Sequence, residues 1–295
     1  MGRKEEFDCA FRKLYENDGR FSYVTKGKDL IYLNYFSRDE FDQFRANMDE
    51  QLQKRFGKEL SESESTPPKM ASVASSSRLT YLFFRDEERR MSFLKTTLGV
   101  IAPNGNFVFE DDLPIKGVKD RNGNEICAHP DATYTVENRI IGVESKCHEP
   151  FDYHALEWSK QYLKNGLCEG KYSSFDIPEA EDKGGKVCVN PSVFGFQKGE
   201  RRFLDVKQFV CHSIGLAAKV EKKRDLIYLY FVPKGAETNF SDVYNNLKEQ
   251  FKKLCNSDYV KNYCKKNDIT PHLVFVLVSI KNGQEQFEIK ENLSA

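Results

Sequence analysis

The feature that most constrains the fold is a regular alternation of helical and strand patterns in the last third of the chain. Residues 202–220 carry apolar side chains at helical spacing, and residues 225–233 form a continuous apolar run. A second helical pattern at 241–254 precedes a second apolar run at 272–280. Strands that are apolar on both faces are typical of parallel sheets covered by helices. The alternation therefore predicts an α/β fold with parallel strands.

Three further strand patterns precede this region. Residues 105–113, 132–137 and 139–147 are rich in β-branched and aromatic side chains, and Asn-Gly pairs at 104–105 and 122–123 mark turns. We expect the strands at 132–137 and 139–147 to join 225–233 and 272–280 in one sheet.

The N-terminal part of the chain has a different pattern. Residues 29–36 are typical of a strand and residues 38–56 of an amphipathic helix. Residues 70–97 indicate one helix, or two short helices that break near Arg85 to Glu87.

These patterns predict the domain organisation. We expect an N-terminal α+β extension at 1–60, a linker or loop at 61–69 that is rich in serine and proline, and a core domain at 70–295. An irregular insertion at about 165–200 should interrupt this core, because that stretch is rich in glycine and weakly periodic.

Composition limits the partners. Lys plus Arg and Asp plus Glu both number 45, so the formal charge is zero and only a local basic patch could attract nucleic acid. No stretch approaches the roughly 18 apolar residues that a membrane span needs, and the first residues lack the apolar run of a signal peptide. We expect a cytoplasmic protein without membrane contact. The GxxxxGK[ST] phosphate loop is absent, so no nucleotide cofactor is expected.

The candidate chemistry lies on two neighbouring strands. Asp131 follows Pro130 where one strand opens, and Glu144, Ser145 and Lys146 close the next, 13 positions after Asp131. Alternate residues of a strand share a face, so Glu144 and Lys146 point the same way. Two carboxylates and one amine can then converge.

These residue types suit metal-assisted hydrolysis of a phosphodiester. Carboxylate oxygens of Asp131 and Glu144, with the backbone carbonyl of Ser145, are ligands that Mg²⁺ prefers, and Mn²⁺ should substitute. Such a cation lowers the pKa of a bound water and neutralises charge on the phosphate. Lys146 could orient the attacking water, stabilise the phosphorane oxygens or, if its pKa is depressed, accept a proton.

With these residues the segment 76–220 resembles nucleases of the PD-(D/E)XK superfamily, the restriction-endonuclease-like proteins. The features that carry the resemblance are Phe109 with Glu110, the ESKCHEPF sequence from Glu144 to Phe151, and a late helix with Lys207, Gln208 and His212. The resemblance implies a mixed sheet flanked by helices, Mg²⁺ dependence and cleavage of DNA in restriction, repair or defence. It covers about half of the chain.

The resemblance also implies further site residues. Many superfamily members carry an acid on the helix before the core strands, but no carboxylate stands at 72–79, so Glu110 is our choice for a third metal ligand. Gln208 and His212, four positions apart on one helix face, should contact substrate phosphate. Arg78 is a further candidate cation for phosphate contact.

Three alternatives stay open. The chain could be a catalytically inactive nuclease fold that binds DNA or another protein. It could also be a zinc or thiol protein if Cys127, His129, Cys147 and His148 converge, although their spacing fits no standard zinc frame. The sequence leaves open whether the chain is a monomer or a homodimer.

Overall fold

The computed structural model describes residues 2–16, 24–26, 30–32, 34–62, 67–100, 104–159, 162, 177, 180–184, 186–219 and 223–295. The strands of these ranges are β1 (Val24–Lys26), β2 (Leu30–Tyr32), β3 (Asn106–Phe109), β4 (Leu113–Lys119), β5 (Glu125–Ala128), β6 (Ala132–Val136), β7 (Arg139–Lys146), β8 (Glu157–Ser159), β9 (Ala180–Asp182), β10 (Lys186–Val189), β11 (Lys223–Pro233), β12 (Ile269–Lys281) and β13 (Gln284–Ser294). The helices are α1 (Arg3–Glu16), α2 (Arg38–Ala46), α3 (Glu50–Arg55), α4 (Gly57–Leu60), α5 (Ser76–Phe84), α6 (Glu87–Leu98), α7 (Val206–Ala218), α8 (Ser241–Asn256) and α9 (Asp258–Lys266).

A mixed sheet of six strands forms the centre of the fold, in the order β13-β12-β11-β7-β6-β3. β7, β11 and β12 run parallel, while β13, β6 and β3 pair antiparallel with their neighbours. The prediction that residues 132–137, 139–147, 225–233 and 272–280 share one sheet is confirmed. So is the α/β class with parallel members.

The parallel strands are buried because the helices that connect them cover the sheet. β11 is buried along nearly its whole length, and α8 and α9 form the crossover from β11 to β12. α7 connects the earlier strands to β11 and packs against the β4–β5 hairpin. Continuous apolar runs thus lie between layers of helix.

Of the five α-helices that the structure describes between residues 38 and 98, four follow a polar residue whose side chain accepts a backbone N–H, and α4 does not. The expected break after residue 84 is confirmed: α6 begins after Asp86, whose carboxylate accepts the Arg89 backbone N–H at 2.8 Å. The single helix expected at 38–56 is wrong. α2 ends at Ala46, and Asp49 caps α3 by accepting the Leu52 N–H at 2.8 Å.

α1 belongs to the same hydrophobic core as the sheet. Phe7, Phe11 and Tyr15 have no exposed surface, and the Phe7 ring lies 5.1 Å from the Phe151 ring and 5.3 Å from the Phe240 ring. The N-terminal segment therefore contributes to the core that surrounds the sheet.

Two predicted segments are described only in part. Of the expected strand at 29–36, residues 30–32 form β2, which pairs with β1. Residues 63–66 of the expected linker and residues 165–176, 178–179 and 185 of the expected insertion lie outside the described residues. The described part of the insertion contains β9 and β10, which form a small sheet with β8. Within the described ranges, no helix is long and apolar enough to cross a membrane.

Candidate active site

The strand register aligns three acidic residues across neighbouring strands. β3 pairs Phe109 with Ala132, and β6 pairs Ala132 with Val143. One residue beyond these pairs, the same register sets Glu110 beside Asp131 and Asp131 beside Glu144. The Glu110 backbone N–H donates to the Asp131 carbonyl at 2.9 Å, which continues the ladder. We call Glu110, Asp131 and Glu144 the acidic row.

The motif residues are buried and bonded to one another. The Ser145 backbone N–H donates to Asp131 Oδ2 at 2.6 Å, and Lys146 Nζ donates to Glu144 Oε1 at 2.6 Å. All four residues line one cavity of about 470 Å³ together with Glu110. Asp131, Glu144 and Lys146 are each less than a tenth exposed. The sequence motif is therefore one connected cluster.

Two carboxyl groups of the acidic row, those of Asp131 and Glu110, have raised pKa values. Burial, followed by the charges of Glu144 and Glu110, holds the pKa of Asp131 well above its usual range. Burial, with the charges of Glu59 and Glu144, raises the pKa of Glu110 to about 8. Carboxylates that raise one another's pKa in this way are stabilised in their charged form by a cation.

The ammonium group of Lys146 is a positive charge beside the acidic row. Burial acts to lower its pKa, but the charges of Glu144, Glu149 and Asp131 together raise the pKa of Lys146 above its usual value. The ammonium keeps its proton, so in this arrangement Lys146 is a hydrogen-bond donor and not a base.

Glu110 also has an unusual backbone. Its φ of 47° lies in the left-handed region, which non-glycine residues seldom adopt. Such a conformation costs on the order of 1 kcal/mol and persists only where its surroundings hold it, often at functional sites. The hydrogen bond from the Glu110 backbone N–H to the Asp131 carbonyl oxygen is one contact that holds this conformation.

The donor chemistry of the row fits a hard divalent cation. Glu144 Oε2 is buried and has no hydrogen-bond partner, while Oε1 is bonded to Lys146. A free carboxylate oxygen beside Asp131 is a ligand that Mg²⁺ prefers. Within the described ranges, no group of three or more His, Cys, Asp or Glu side chains is placed so that it could hold a metal ion. The role of the Ser145 carbonyl as a ligand stays a prediction.

α7 brings Gln208 and His212 to the site in different ways. Gln208 lines the cavity. His212 is buried behind the row, with Nε2 3.6 Å from Glu144 Oε2, which is too long for a hydrogen bond. Burial lowers the pKa of His212 against the pull of Glu144, so the ring is neutral. It contacts the carboxylate and lies outside the cavity lining.

Arg78 is not brought to this cavity. Its guanidinium donates to Glu285 Oε1 at 3.1 Å and lies 3.9 Å from the centre of the Phe36 ring. It lines a separate cavity and is 7% exposed. The structure therefore gives no support to phosphate contact by Arg78, because α5 turns this side chain into an aromatic cluster of the N-terminal segment.

Two acids of the cavity were missed in the sequence. Glu59 of α4 lines it, paired with Lys69 at 2.9 Å, so an acid from the N-terminal segment reaches the site. Glu149 also lines it; its carboxylate accepts the Cys147 backbone N–H at 2.6 Å and the Ser76 hydroxyl at 3.2 Å. Glu149 stands inside the ESKCHEPF motif and could have been found. Glu59 had no signal, because its segment lay outside the motif.

The structure does not support the alternative zinc site, because both of its histidines pair with other residues. His129 is exposed and pairs with Asp112 at 2.8 Å, and His148 pairs with Asp8 at 3.0 Å. Cys127 and Cys147 are free thiols, and burial raises the pKa of both, which disfavours the thiolate that zinc needs.

No family model, no curated protein and no solved structure matches this chain. The case for a function rests on the chemistry of the cavity.

Proposed function

We propose that this protein is a Mg²⁺-dependent endonuclease that hydrolyses DNA phosphodiester bonds. The observation that carries the proposal is the acidic row with Lys146 bonded to Glu144 in one cavity. Clustered carboxylates beside a protonated lysine combine the ligands of a hard cation with a donor for an anionic substrate.

The overall architecture of the sheet also supports the proposal, as a less specific argument than the site. Two antiparallel strands, β6 and β7, deliver the motif at one side of a mixed sheet with helices around it. A restriction-endonuclease-like fold is the finer assignment that we propose for this arrangement, on the strength of the PD…ESK motif.

Asp131 and Glu144 are the residues that would hold the cation, with Glu110 as a third ligand and Mn²⁺ as a substitute. The bound cation supplies an activated water and charge neutralisation at the phosphate. Lys146, which keeps its proton, would donate to a phosphate oxygen as negative charge grows there. Gln208, at the cavity wall, would donate its side-chain amide to a neighbouring phosphate oxygen.

The second candidate is an inactive nuclease fold that binds DNA or another protein. The direct bond between Lys146 and Glu144 favours it, because an ammonium group already neutralises one of the carboxylates that a cation needs. The two candidates differ in a single measurable property, which is metal-dependent cleavage.

The test is cleavage of supercoiled plasmid and of a labelled single-stranded oligonucleotide in Mg²⁺, Mn²⁺ or EDTA. The wild type should cleave with either cation and not in EDTA. Lys146→Ala should lose at least about 100-fold in rate, as expected when a transition-state donor is removed. Lys252→Ala, at an exposed lysine of α8, is the matched control. Lack of cleavage by the wild type under every condition would leave the inactive binding module as the better assignment.

A further inference from the structure

Tyr153 is the one large hydrophobic side chain of the described residues that is exposed, at 69%. It lies two residues after the end of the ESKCHEPF motif in the chain. An isolated exposed aromatic has two ordinary uses, which are packing against a partner and stacking on a flat ligand. The residues around Tyr153 indicate which of these two uses applies.

The Tyr153 ring is held in place from one side. Arg202, which is 5% exposed, donates from Nη2 to the Tyr153 hydroxyl oxygen at 2.8 Å, and its guanidinium carbon lies 5.1 Å from the ring centre. The hydroxyl therefore accepts from Arg202 and keeps its own hydrogen to donate. A ring that is already fixed loses little conformational entropy when a ligand stacks on it.

Beside Tyr153 lies a cleft of about 490 Å³, within the roughly 300–1,000 Å³ of small-molecule sites. Lys186 and Lys207 are its cations. Lys186 is paired with Glu157 at 2.7 Å, whereas Lys207 has no salt bridge to any residue that the structure describes. The acid Asp205, which also lines the cleft, is occupied as the cap of α7, where it accepts the Gln208 N–H at 3.0 Å. The cleft thus offers one aromatic face and one uncommitted ammonium group.

The cleft adjoins the candidate active site. Lys207 lines the cleft and Gln208, the next residue, lines the cavity of the acidic row. His154 of the cleft bonds through Nε2 to the carbonyl oxygen of Glu149, and Glu149 lines that cavity. A chain of phosphates that passes the acidic row would therefore meet Lys207 and Tyr153 next.

We infer that this cleft binds an unpaired nucleotide of a DNA strand, whose base stacks on Tyr153 and whose phosphate contacts Lys207. The inference rests on the proposed nuclease function and adds its substrate class, which is DNA with a single-stranded segment beside the cleaved bond. A paired base exposes only its edges, so stacking on Tyr153 requires an unpaired one. Base stacking on aromatic side chains is tolerant of sequence.

The test measures binding in EDTA, where cleavage does not interfere. A fluorescein-labelled single-stranded oligonucleotide and a blunt duplex are titrated and followed by anisotropy. Trp158 is the single tryptophan of the chain and lines the cleft, so its fluorescence is a second readout. Tyr153→Ala should weaken single-strand binding about tenfold or more, while Tyr153→Phe should keep affinity within about threefold. Tyr153→Leu, which keeps apolar bulk without an aromatic face, should resemble Tyr153→Ala.

Lys207 is tested by salt dependence. Lys207→Gln should reduce the slope of log affinity against log salt by about 0.7 for a single strand, whereas Lys252→Gln should leave it unchanged. Circular dichroism checks that each variant is folded.

The outcomes separate the two proposals. Equal single-strand affinity of wild type and Tyr153→Ala, in a protein that cleaves DNA, would overturn the cleft and leave the nuclease intact. Loss of affinity in Tyr153→Ala without any cleavage by the wild type would support the cleft in an inactive binding module. A wild type that binds no single-stranded DNA overturns the inference whatever its activity.

Discussion

Asp131 and Lys146 line one cavity in different proposed roles, metal ligand and hydrogen-bond donor, so their substitution should have different effects. Asp131→Asn replaces a charged ligand by a neutral amide and should weaken Mn²⁺ binding measured by calorimetric titration. Lys146→Ala removes a positive charge that is bonded to Glu144, so its Mn²⁺ affinity should equal or exceed that of the wild type. Both variants should lose cleavage by about 100-fold or more. Equal Mn²⁺ affinities in the wild type and Asp131→Asn would exclude Asp131 as a ligand.

Arg78 shows how a candidate phosphate contact can be a structural cation. Its side chain and that of Glu285 are each 9% exposed, and the guanidinium lies 4.9 Å from the centre of the Phe44 ring. Arg78→Ala should lower the free energy of unfolding by about 3–5 kcal/mol, the usual effect of breaking a buried pair, when measured in urea.

Arg85→Ala, at the exposed end of the same helix, is the control and should change stability by less than about 1 kcal/mol. Folded Arg78→Ala should bind single-stranded DNA like the wild type. A selective loss of DNA affinity at full stability would instead make Arg78 a substrate contact.

At the scale of elements, the helix α7, which contains Gln208, packs closely against the β4–β5 hairpin. A Cβ at Gly215 would lie 2.6 Å from the Leu113 Cβ and 3.2 Å from the Leu113 carbonyl oxygen. Gly215→Ala should therefore lower the free energy of unfolding by about 1–3 kcal/mol despite the better helix propensity of alanine. Thermal unfolding followed by circular dichroism measures this.

Gly57→Ala in α4 is the matched control, because a Cβ there meets nothing within 4 Å. It should be neutral or stabilise by up to about 1 kcal/mol. If both alanines have the same effect, close packing of α7 on the hairpin is not the reason for glycine at residue 215.

The same scale shows which elements the sequence could predict. β11 and β12 were predictable because their apolar runs are continuous, and the break between α5 and α6 because Asp86 is a capping residue. β13 was not among the expected strands. It alternates exposed and half-buried residues at the edge of the sheet, so its apolar content is low.

At the scale of the whole molecule, the burial of α1 predicts one cooperative unfolding transition. Far-ultraviolet circular dichroism and Trp158 fluorescence should give coincident urea curves. Phe11→Ala should lower the free energy of unfolding by about 3–5 kcal/mol, because the side chain is fully buried in the shared core. Both curves should report the same decrease. Two transitions, with Phe11→Ala acting on only one, would show that the N-terminal segment folds independently.

The sequence alone determined the motif and the central strands of this protein, because periodicity and strand alternation are local properties that place Glu144 and Lys146 on one face. Tertiary structure decided what those residues meet. The register across β3, β6 and β7 aligned Glu110 with Asp131 and Glu144, and packing of the N-terminal segment brought Glu59 to the cavity and took Arg78 away. Contacts between distant segments depend on how whole elements pack, and a linear pattern contains no signal for them.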